Sequence, residues 1–192
     1  MKTSMKVSFV VALLFVLTGC SNGSNSSGTP SPTPSSTPSA STTPANYVCT
    51  SSQLSILLGV EGAAMGSRGV TGMAFKNISA TACTLEGYPT AQMIDAPGKP
   101  IPTHITHGTE FSSPTAVVKV ITLAPGKEAK FDVLYEAQTG YGNAYCPTSS
   151  KVKFTPPGSK TPLILTWKIQ PYGGTVQNLR CGEIRVSPLY VP

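Results

Sequence analysis

Two pairs of residues have spacings that could support chemistry. His104 and His107 form a His-x-x-His pair, which on a helix would present both rings on one face and could bind a metal ion. The neighbouring residues 101–105 alternate as a strand does, and residues three apart on a strand point to opposite faces. We therefore predict no metal site. Met73 and Met93, the other possible ligands, are assigned to the core because both lie on apolar strand faces.

The second pair is Ser150 and Lys153, whose Ser-x-x-Lys spacing occurs in penicillin-binding enzymes. Those enzymes also need Ser-Asp-Asn and Lys-Thr-Gly elements, and the chain contains neither. The 8 acidic residues are spaced singly, whereas glycosidases need two carboxylates together. The sequence therefore predicts no catalytic residues and no cofactor, and we expect that the protein is not an enzyme.

Cysteine provides a stronger signal near the start of the chain. Lys2 and Lys6 precede an apolar run over residues 7–17, and the string Leu-Thr-Gly-Cys ends at Cys20. This order is typical of a signal peptide, and the string resembles a bacterial lipobox, whose cysteine carries the lipid. The apolar run is shorter than the ~20 residues that a transmembrane helix needs. We expect a signal peptide over 1–19 and a lipid such as palmitate on Cys20, which would hold the protein on the extracytoplasmic face of the cell membrane.

The remaining cysteines are Cys49, Cys83, Cys146 and Cys181, an even number that predicts two disulfides in an exported protein, with three possible pairings. None has the Cys-x-x-Cys spacing of zinc sites. If every strand ran antiparallel to the one before it, all four cysteines would lie in loops at the same end of the fold, the first two near each other at the start of the domain. We therefore predict the disulfides Cys49–Cys83 and Cys146–Cys181.

Two predicted loops, 138–145 and 171–174, combine tyrosine with small flexible residues. Tyrosine in such loops provides rigid contact area and a polar hydroxyl, as in the binding loops of β-sandwiches. A disulfide between Cys146 and Cys181 would hold the loops together and reduce the entropy lost on binding. We predict one binding surface at the end of the fold where the linker attaches; the alternative is that the tyrosines only pack onto the sandwich. Its contact residues would be Gln138, Tyr141, Asn143, Tyr145 and Tyr172.

Composition separates the chain into a spacer and a folded part. Residues 21–46 contain only Ser, Thr, Pro, Asn, Gly and Ala, so they cannot bury enough apolar surface to fold. We expect the lipidated cysteine and a disordered linker over 20–46, followed by one domain over 47–192. Loss of the signal peptide would leave 12 Lys and Arg against 8 Asp and Glu, a net charge of +4 without basic runs. No nucleic-acid partner is expected.

The elements that must position these residues are short strands. Apolar and polar residues alternate along most of the domain, turns rich in Gly and Pro separate the runs, and no amphipathic helix is predicted. Residues 117–123 are apolar on both faces, as in a central strand. The pattern predicts an all-β fold, an antiparallel β-sandwich of about 8–9 strands.

The string Cys-Thr-Leu-Glu-Gly-Tyr-Pro over residues 83–89 predicts a fixed corner, because Gly87 permits an unusual backbone angle and the proline restricts the start of the next strand. Together with the Leu-Ala-Pro-Gly-Lys turn at 123–127 and Cys181 before the last strand, this string resembles the actinobacterial family called domain of unknown function 4232. The resemblance covers nearly all of residues 49–188. It implies an immunoglobulin-like sandwich on secreted or lipid-anchored proteins, and it brings no activity and no catalytic residues.

These features predict a lipid-anchored protein of the cell envelope that works as a non-catalytic binding or structural module. Its expected partners are the membrane, through the lipid on Cys20, and a cell-wall component or another envelope protein. Two alternatives remain open. A hydrolase of envelope polymers would need two carboxylates or a Ser–His pair in one pocket, and a metal-handling lipoprotein would co-purify with copper or zinc.

Overall fold

Alternating apolar and polar residues form strands throughout the described part of the chain. The computed structural model describes residues 47–65, 67–139, 145–169 and 178–191, with the backbone alone for 60–65. The chain divides into two compact units, Met1–Ser41 and Thr42–Pro192, and every described residue belongs to the second. Cys20 and the predicted signal peptide and linker lie outside the described residues. Within the described ranges, no helix is long and apolar enough to span a membrane.

One short 3-10 helix and eleven strands make up the described elements. In chain order they are the helix Ser51–Gln53, β1 Leu54–Met65, β2 Arg68–Asn77, β3 Cys83–Leu85, β4 Thr90–Ile94, β5 His104–His107, β6 Ile121–Leu123, β7 Glu128–Glu136, β8 Thr148–Ser149, β9 Lys151–Thr155, β10 Leu163–Thr166 and β11 Leu179–Val186. The all-β prediction is confirmed. The strands outnumber the prediction because β3, β6 and β8 have only two or three residues each.

The strands form three sheets. The largest has the order β1-β2-β7-β11-β5, with β8 also paired to β11; the second has the order β10-β9-β4; the third contains β3 and β6. All pairs among these strands are antiparallel except β11 with β5, which is parallel. The prediction of antiparallel pairing is therefore wrong at this edge. β5 and β11 are far apart in the sequence, so no hairpin forces them to run in opposite directions.

Aromatic side chains join the sheets through the core. Phe75 of β2 stacks on Phe131 of β7, with ring centroids 5.1 Å apart, and Phe131 meets Phe154 of β9 edge to face at 5.5 Å. All three rings are fully buried. Met73 and Met93 are also buried, as predicted from their apolar faces. Contact between a strand of the largest sheet and a strand of the second sheet is the packing expected of a β-sandwich.

The predicted corner at residues 83–89 is present. Gly87 has a φ of +98°, which a residue with a side chain rarely adopts. Its carbonyl oxygen accepts a hydrogen bond of 2.9 Å from the Leu189 backbone N–H, so the corner also holds the end of the chain. The disulfide between Cys83 and Cys49 fixes β3 to the segment before β1.

The prediction of a central strand over 117–123 is wrong in its first half. β6 includes only Ile121–Leu123, because its partner β3 is itself three residues long. Val117, Val118 and Val120 precede it with 53%, 53% and 60% of their surface exposed. In residues 117–120, apolar side chains on both faces therefore do not mean that both faces are buried.

The predicted strand directions are also wrong from β7 onward. β7 runs antiparallel to β2, with Lys76 opposite Glu128 and Arg68 opposite Glu136. Because β1 is also antiparallel to β2, β7 ends at the opposite end of the large sheet from the start of β1. The strictly alternating order fails because β6 pairs with β3, in a different sheet from β5, so the chain changes sheets between them. The segment from 136 onward therefore leaves the sheet at the end away from Cys49.

Candidate binding surface

A bulge in β11 is the main irregularity of the large sheet. Arg180 lies opposite Glu136, but Ile184 lies opposite Tyr135, so extra residues of β11 loop out between these pairs. In the bulge, Cys181 has a φ of +62° and Gly182 a φ of +80°. Cys181 is the one non-glycine residue with a positive φ within the described ranges. Bulges and such backbone strain concentrate near functional sites, where surrounding structure must hold them.

Two neighbouring contacts and a disulfide hold the bulge. The disulfide joins Cys181 to Cys146, so both predicted disulfides are present. The Cys181 backbone N–H donates a 3.0 Å hydrogen bond to the Pro147 carbonyl, and the Cys181 Sγ lies 3.8 Å from the Gln138 carbonyl oxygen. Three separate segments of the chain therefore meet at this point. We call this region the clamped end and define it by Gln138, Tyr145, Cys146, Arg180 and Cys181.

Two of the predicted contact residues lie at the clamped end. Tyr145 precedes the disulfide and has 80% of its surface exposed, and Gln138 is also exposed. Tyr141, Asn143 and Tyr172 lie outside the described residues. The clamped end and the start of β1 lie at opposite ends of the large sheet, because β7 runs in the direction opposite to the one predicted. The prediction that the binding surface lies at the end where the linker attaches is therefore wrong.

A charged cleft, which sequence reasoning missed, adjoins the clamped end. It has a volume of ≈ 90 Å³, and its polar lining comes from Arg68, Thr106, Glu136, Glu183 and Arg185. These residues belong to β2, β5, β7 and β11, and the parallel pairing of β5 brings Thr106 opposite Arg185. No local sequence pattern indicates this set, because it depends on the order of the strands in the sheet.

Hydrogen bonds and ion pairs orient the side chains of the cleft. Arg68 Nε donates to Glu136 Oε1 at 2.7 Å, and the Ser67 hydroxyl donates to Glu136 Oε2 at 3.2 Å. Arg185 Nε donates to the Thr106 hydroxyl at 3.1 Å and its guanidinium also pairs with Glu110. Hydrogen bonding from the Glu110 backbone, then from the Arg185 side chain, holds the pKa of the Glu110 carboxyl below its usual value.

The two histidines lie apart, as the strand pattern predicts. His104 Nδ1 is 3.0 Å from Glu183 Oε2, beside the cleft. His107 stacks on Tyr88, with ring centroids 4.1 Å apart and planes 13° apart. Among the described residues, no group of three or more His, Cys, Asp or Glu side chains could hold a metal ion.

Asp132 forms a buried polar cluster on the outer side of β7. Its carboxylate accepts hydrogen bonds from the Ser112 hydroxyl and from the Tyr190 hydroxyl, the latter at 3.1 and 3.2 Å. Burial, together with the nearby carboxylate, raises the pKa of Tyr190 to about 12. Backbone bonds between Lys130 and Tyr190, at 2.7 and 2.8 Å, run alongside. The cluster thus fastens the end of the chain to β7.

A serine beside an aspartate could suggest a hydrolytic triad, but the third member differs. Ser112 bonds directly to Asp132, and the remaining partner is a tyrosine. His104 and His107, the two histidines of the chain, bond to Glu183 and stack on Tyr88 instead. In a catalytic triad the histidine lies between the serine and the acid. The Ser112–Asp132–Tyr190 cluster therefore does not have the arrangement of a triad.

The fold and the site define an all-β, disulfide-bonded domain of the β-sandwich class, with a strained bulge and a charged cleft at one end of its large sheet. The chain belongs to the family described as Domain of unknown function (DUF4232), whose model matches residues 49–190. This match confirms the resemblance carried by residues 83–89. No curated protein and no solved structure matches the chain.

Proposed function

We propose that this protein is a lipid-anchored binding module of the cell envelope and that the clamped end, with the adjoining charged cleft, is its recognition surface. The observation that carries the proposal is the strained Cys181 backbone held by the Cys146 disulfide. A non-glycine residue at positive φ costs about 1–3 kcal/mol, so it persists where the surrounding structure enforces it, often for function.

The clamped end has the physical properties of a recognition surface. The disulfide fixes the chain on one side of the exposed Tyr145, so less freedom is lost when a partner contacts this side chain. Tyrosine offers apolar area with a polar tip. The charged cleft adds two arginines and two glutamates, already oriented by their own hydrogen bonds, for contacts with polar groups.

Two features support a location outside the cytoplasm. Disulfides form and persist in oxidising compartments, and the described domain has two of them. The Leu-Thr-Gly-Cys string at Cys20 supports lipid attachment after export. We propose a cell-wall component as the partner of the clamped end, with another envelope protein as the alternative that the experiment separates.

Binding to purified cell walls tests this function. The secreted form with Cys20→Ala would be incubated with walls that have been stripped of protein and with unstripped walls. Tyr145→Ala should weaken sedimentation with stripped walls by about tenfold or more, which is the effect of truncating an aromatic anchor. Tyr47→Ala is the matched control, because Tyr47 is exposed but lies next to the Cys49 disulfide, at the other end of the large sheet.

The outcomes separate the alternatives. Binding only to unstripped walls, still sensitive to Tyr145→Ala, would assign an envelope protein as the partner. Equal binding by the parent and Tyr145→Ala, or a loss confined to Tyr47→Ala, would refute the clamped end as the recognition surface.

A further inference from the structure

One edge of the small sheet formed by β3 and β6 has no paired strand among the described residues, and we call it the open edge. On the other edge, the Thr84 backbone pairs with the segment before β1: Thr84 N–H donates to the Tyr47 carbonyl at 3.0 Å, and the Thr84 carbonyl accepts from Cys49 N–H at 2.9 Å. Both polar groups of Thr84 therefore point away from β6. Along a strand these groups alternate between edges, so those of Cys83 and Leu85 point toward β6.

The register of β3 and β6 then fixes which groups of β6 are free. Cys83 lies opposite Leu123 and Leu85 opposite Ile121, so Ile121 and Leu123 bond to β3. The N–H and C=O groups of Thr122 point to the open edge, and those of Val120 would do so if β6 were extended by one residue at its start. Within the described ranges, β3 is the one strand paired with β6, and no turn or loop backbone hydrogen bond involves Val120 or Thr122. The edge thus offers the donor and acceptor pattern that a further strand would satisfy.

Exposed apolar side chains lie in the segment directly before β6. Val117, Val118 and Val120 are more than half exposed, although valine is usually buried. β-branched residues also favour the extended backbone that strand pairing requires. The disulfide of Cys83 and the bridge between Val48 and Thr84 hold β3 on the other side, so the edge is fixed in place. An arriving strand would therefore meet a template that is already ordered.

The charge on this segment indicates the chemistry of the arriving strand. Between Glu110 and Glu128 the chain has two lysines, Lys119 and Lys127, and no acidic residue. A second copy of the same edge would bring like charges together, which disfavours self-pairing. An extended segment that carries acidic residues between apolar ones would complement both the lysines and the valines.

We propose that the open edge of β6 binds an extended acidic and apolar peptide segment of a partner protein by strand addition. Main-chain hydrogen bonds to Val120 and Thr122 supply affinity, and contacts with the valines and Lys119 supply selectivity. This surface is separate from the clamped end, so the two proposals fail or succeed independently.

A labelled synthetic peptide tests strand addition. The probe is a ten-residue peptide in which valine and threonine alternate with glutamate, compared with a version that has lysine for glutamate. Its binding to the secreted full chain with Cys20→Ala is measured by fluorescence anisotropy. The glutamate peptide should bind and the lysine peptide should not.

Thr122→Pro removes the N–H group that faces the open edge but none that faces β3, a position where an edge strand tolerates proline. It should weaken binding of the glutamate peptide by about tenfold, as expected for loss of about 1.4 kcal/mol. Thr122→Val keeps the N–H group and should bind like the parent. Equal binding by the proline and valine variants would overturn the proposal.

Lys119→Glu provides a test that does not alter the backbone. It should reverse the selectivity, so that the lysine peptide binds better than the glutamate peptide. Unchanged selectivity would contradict the role of charge and overturn the proposal. A concentration-dependent dimer of the parent in sedimentation, abolished by Thr122→Pro, would also overturn it, because a second copy would then occupy the edge.

Discussion

At the scale of single residues, the sharpest constraint lies at Gly182. A Cβ atom added there would collide with the Pro102 carbonyl oxygen, and the backbone φ of +80° is itself unfavourable for a side chain. Gly87 provides a contrast, because its φ is +98° but a Cβ atom would meet nothing within 4 Å. Comparing the two glycines therefore separates the cost of the backbone conformation from the cost of a steric clash.

Replacing each glycine by alanine should show this difference. Gly87→Ala is expected to lower the free energy of unfolding by about 1–2 kcal/mol, the conformational term alone. Gly182→Ala should lower it by a further ~1–3 kcal/mol, because the Cβ atom must push the backbone of Pro102 away. Urea unfolding of both variants measures the two effects. Equal losses would show that the bulge can shift to accommodate a side chain.

The raised pKa of Tyr190 makes the stability of the fold depend on pH. Its pKa is raised to about 12 from an ordinary value of 10.0, so the fold favours the protonated hydroxyl that donates to Asp132. A raised pKa means that this stabilisation is complete below about pH 10 and is lost as the pH rises towards 12. Burial raises the pKa of Tyr135 to about 12 as well, so both side chains contribute to the alkaline loss of stability.

Tyr190→Phe should separate the two contributions. Near neutral pH the free energy of unfolding of the variant is expected to be about 2 kcal/mol lower than that of the parent, because the buried Asp132 loses a hydrogen-bond donor. Between pH 10 and 12 its stability should fall less steeply than that of the parent, and the remaining slope should include the contribution of Tyr135. Urea unfolding across this pH range provides the measurement. Parallel curves for the two proteins would contradict the assignment to Tyr190.

At the scale of elements, the two disulfides close loops of nearly equal length but hold different structures. The separations are 34 residues for Cys49–Cys83 and 35 for Cys146–Cys181. The first fixes β3 beside the segment before β1, and the second joins the bulge of β11 to the segment before β8. Loop length alone would therefore assign them the same stabilisation, about 4 kcal/mol each in the chain-entropy model.

Removing each disulfide should give similar stability losses but different binding. The double variant Cys146→Ser/Cys181→Ser is expected to lose wall binding, because no disulfide then fixes the clamped end. The double variant with serine at Cys49 and Cys83 should keep it at temperatures where it stays folded. Unfolding curves and wall sedimentation, measured on both variants, check the prediction. Retention of wall binding without the Cys146–Cys181 disulfide would contradict it.

The elements also show which structural features the sequence could predict. Alternation identified the strands and the core faces of Met73 and Met93, because alternation reports which side of a strand is buried. It could not report the partner of a strand, so the parallel β5–β11 pair and the direction of β7 were not predicted. It also failed at 117–120, where apolar residues have no covering strand among the described residues.

At the scale of the whole molecule, the candidate site was only partly predictable for the same reason. The disulfide of the clamped end, and Gln138 and Tyr145 beside it, follow from residue types in two loops. The charged cleft requires Arg68, Glu136 and Arg185 to meet across three strands, which depends on sheet order. Long-range pairing leaves no local mark on the sequence, so such sites appear only when the fold is known.

The proposed lipid anchor at Cys20 gives the last prediction. Cys20→Ala should release the protein into the medium or leave it unprocessed, whereas the parent should remain with the membrane fraction, because one covalent lipid anchor cannot form without the thiol. The expected net charge of +4 after loss of Lys2 and Lys6 could also attract the protein to an anionic surface. Washing membranes in about 1 M salt separates these effects, because the Debye length falls to about 3 Å and screens the charges. A processed Cys20→Ala protein that resists this wash as the parent does would show that something other than the lipid on Cys20 holds the protein to the membrane.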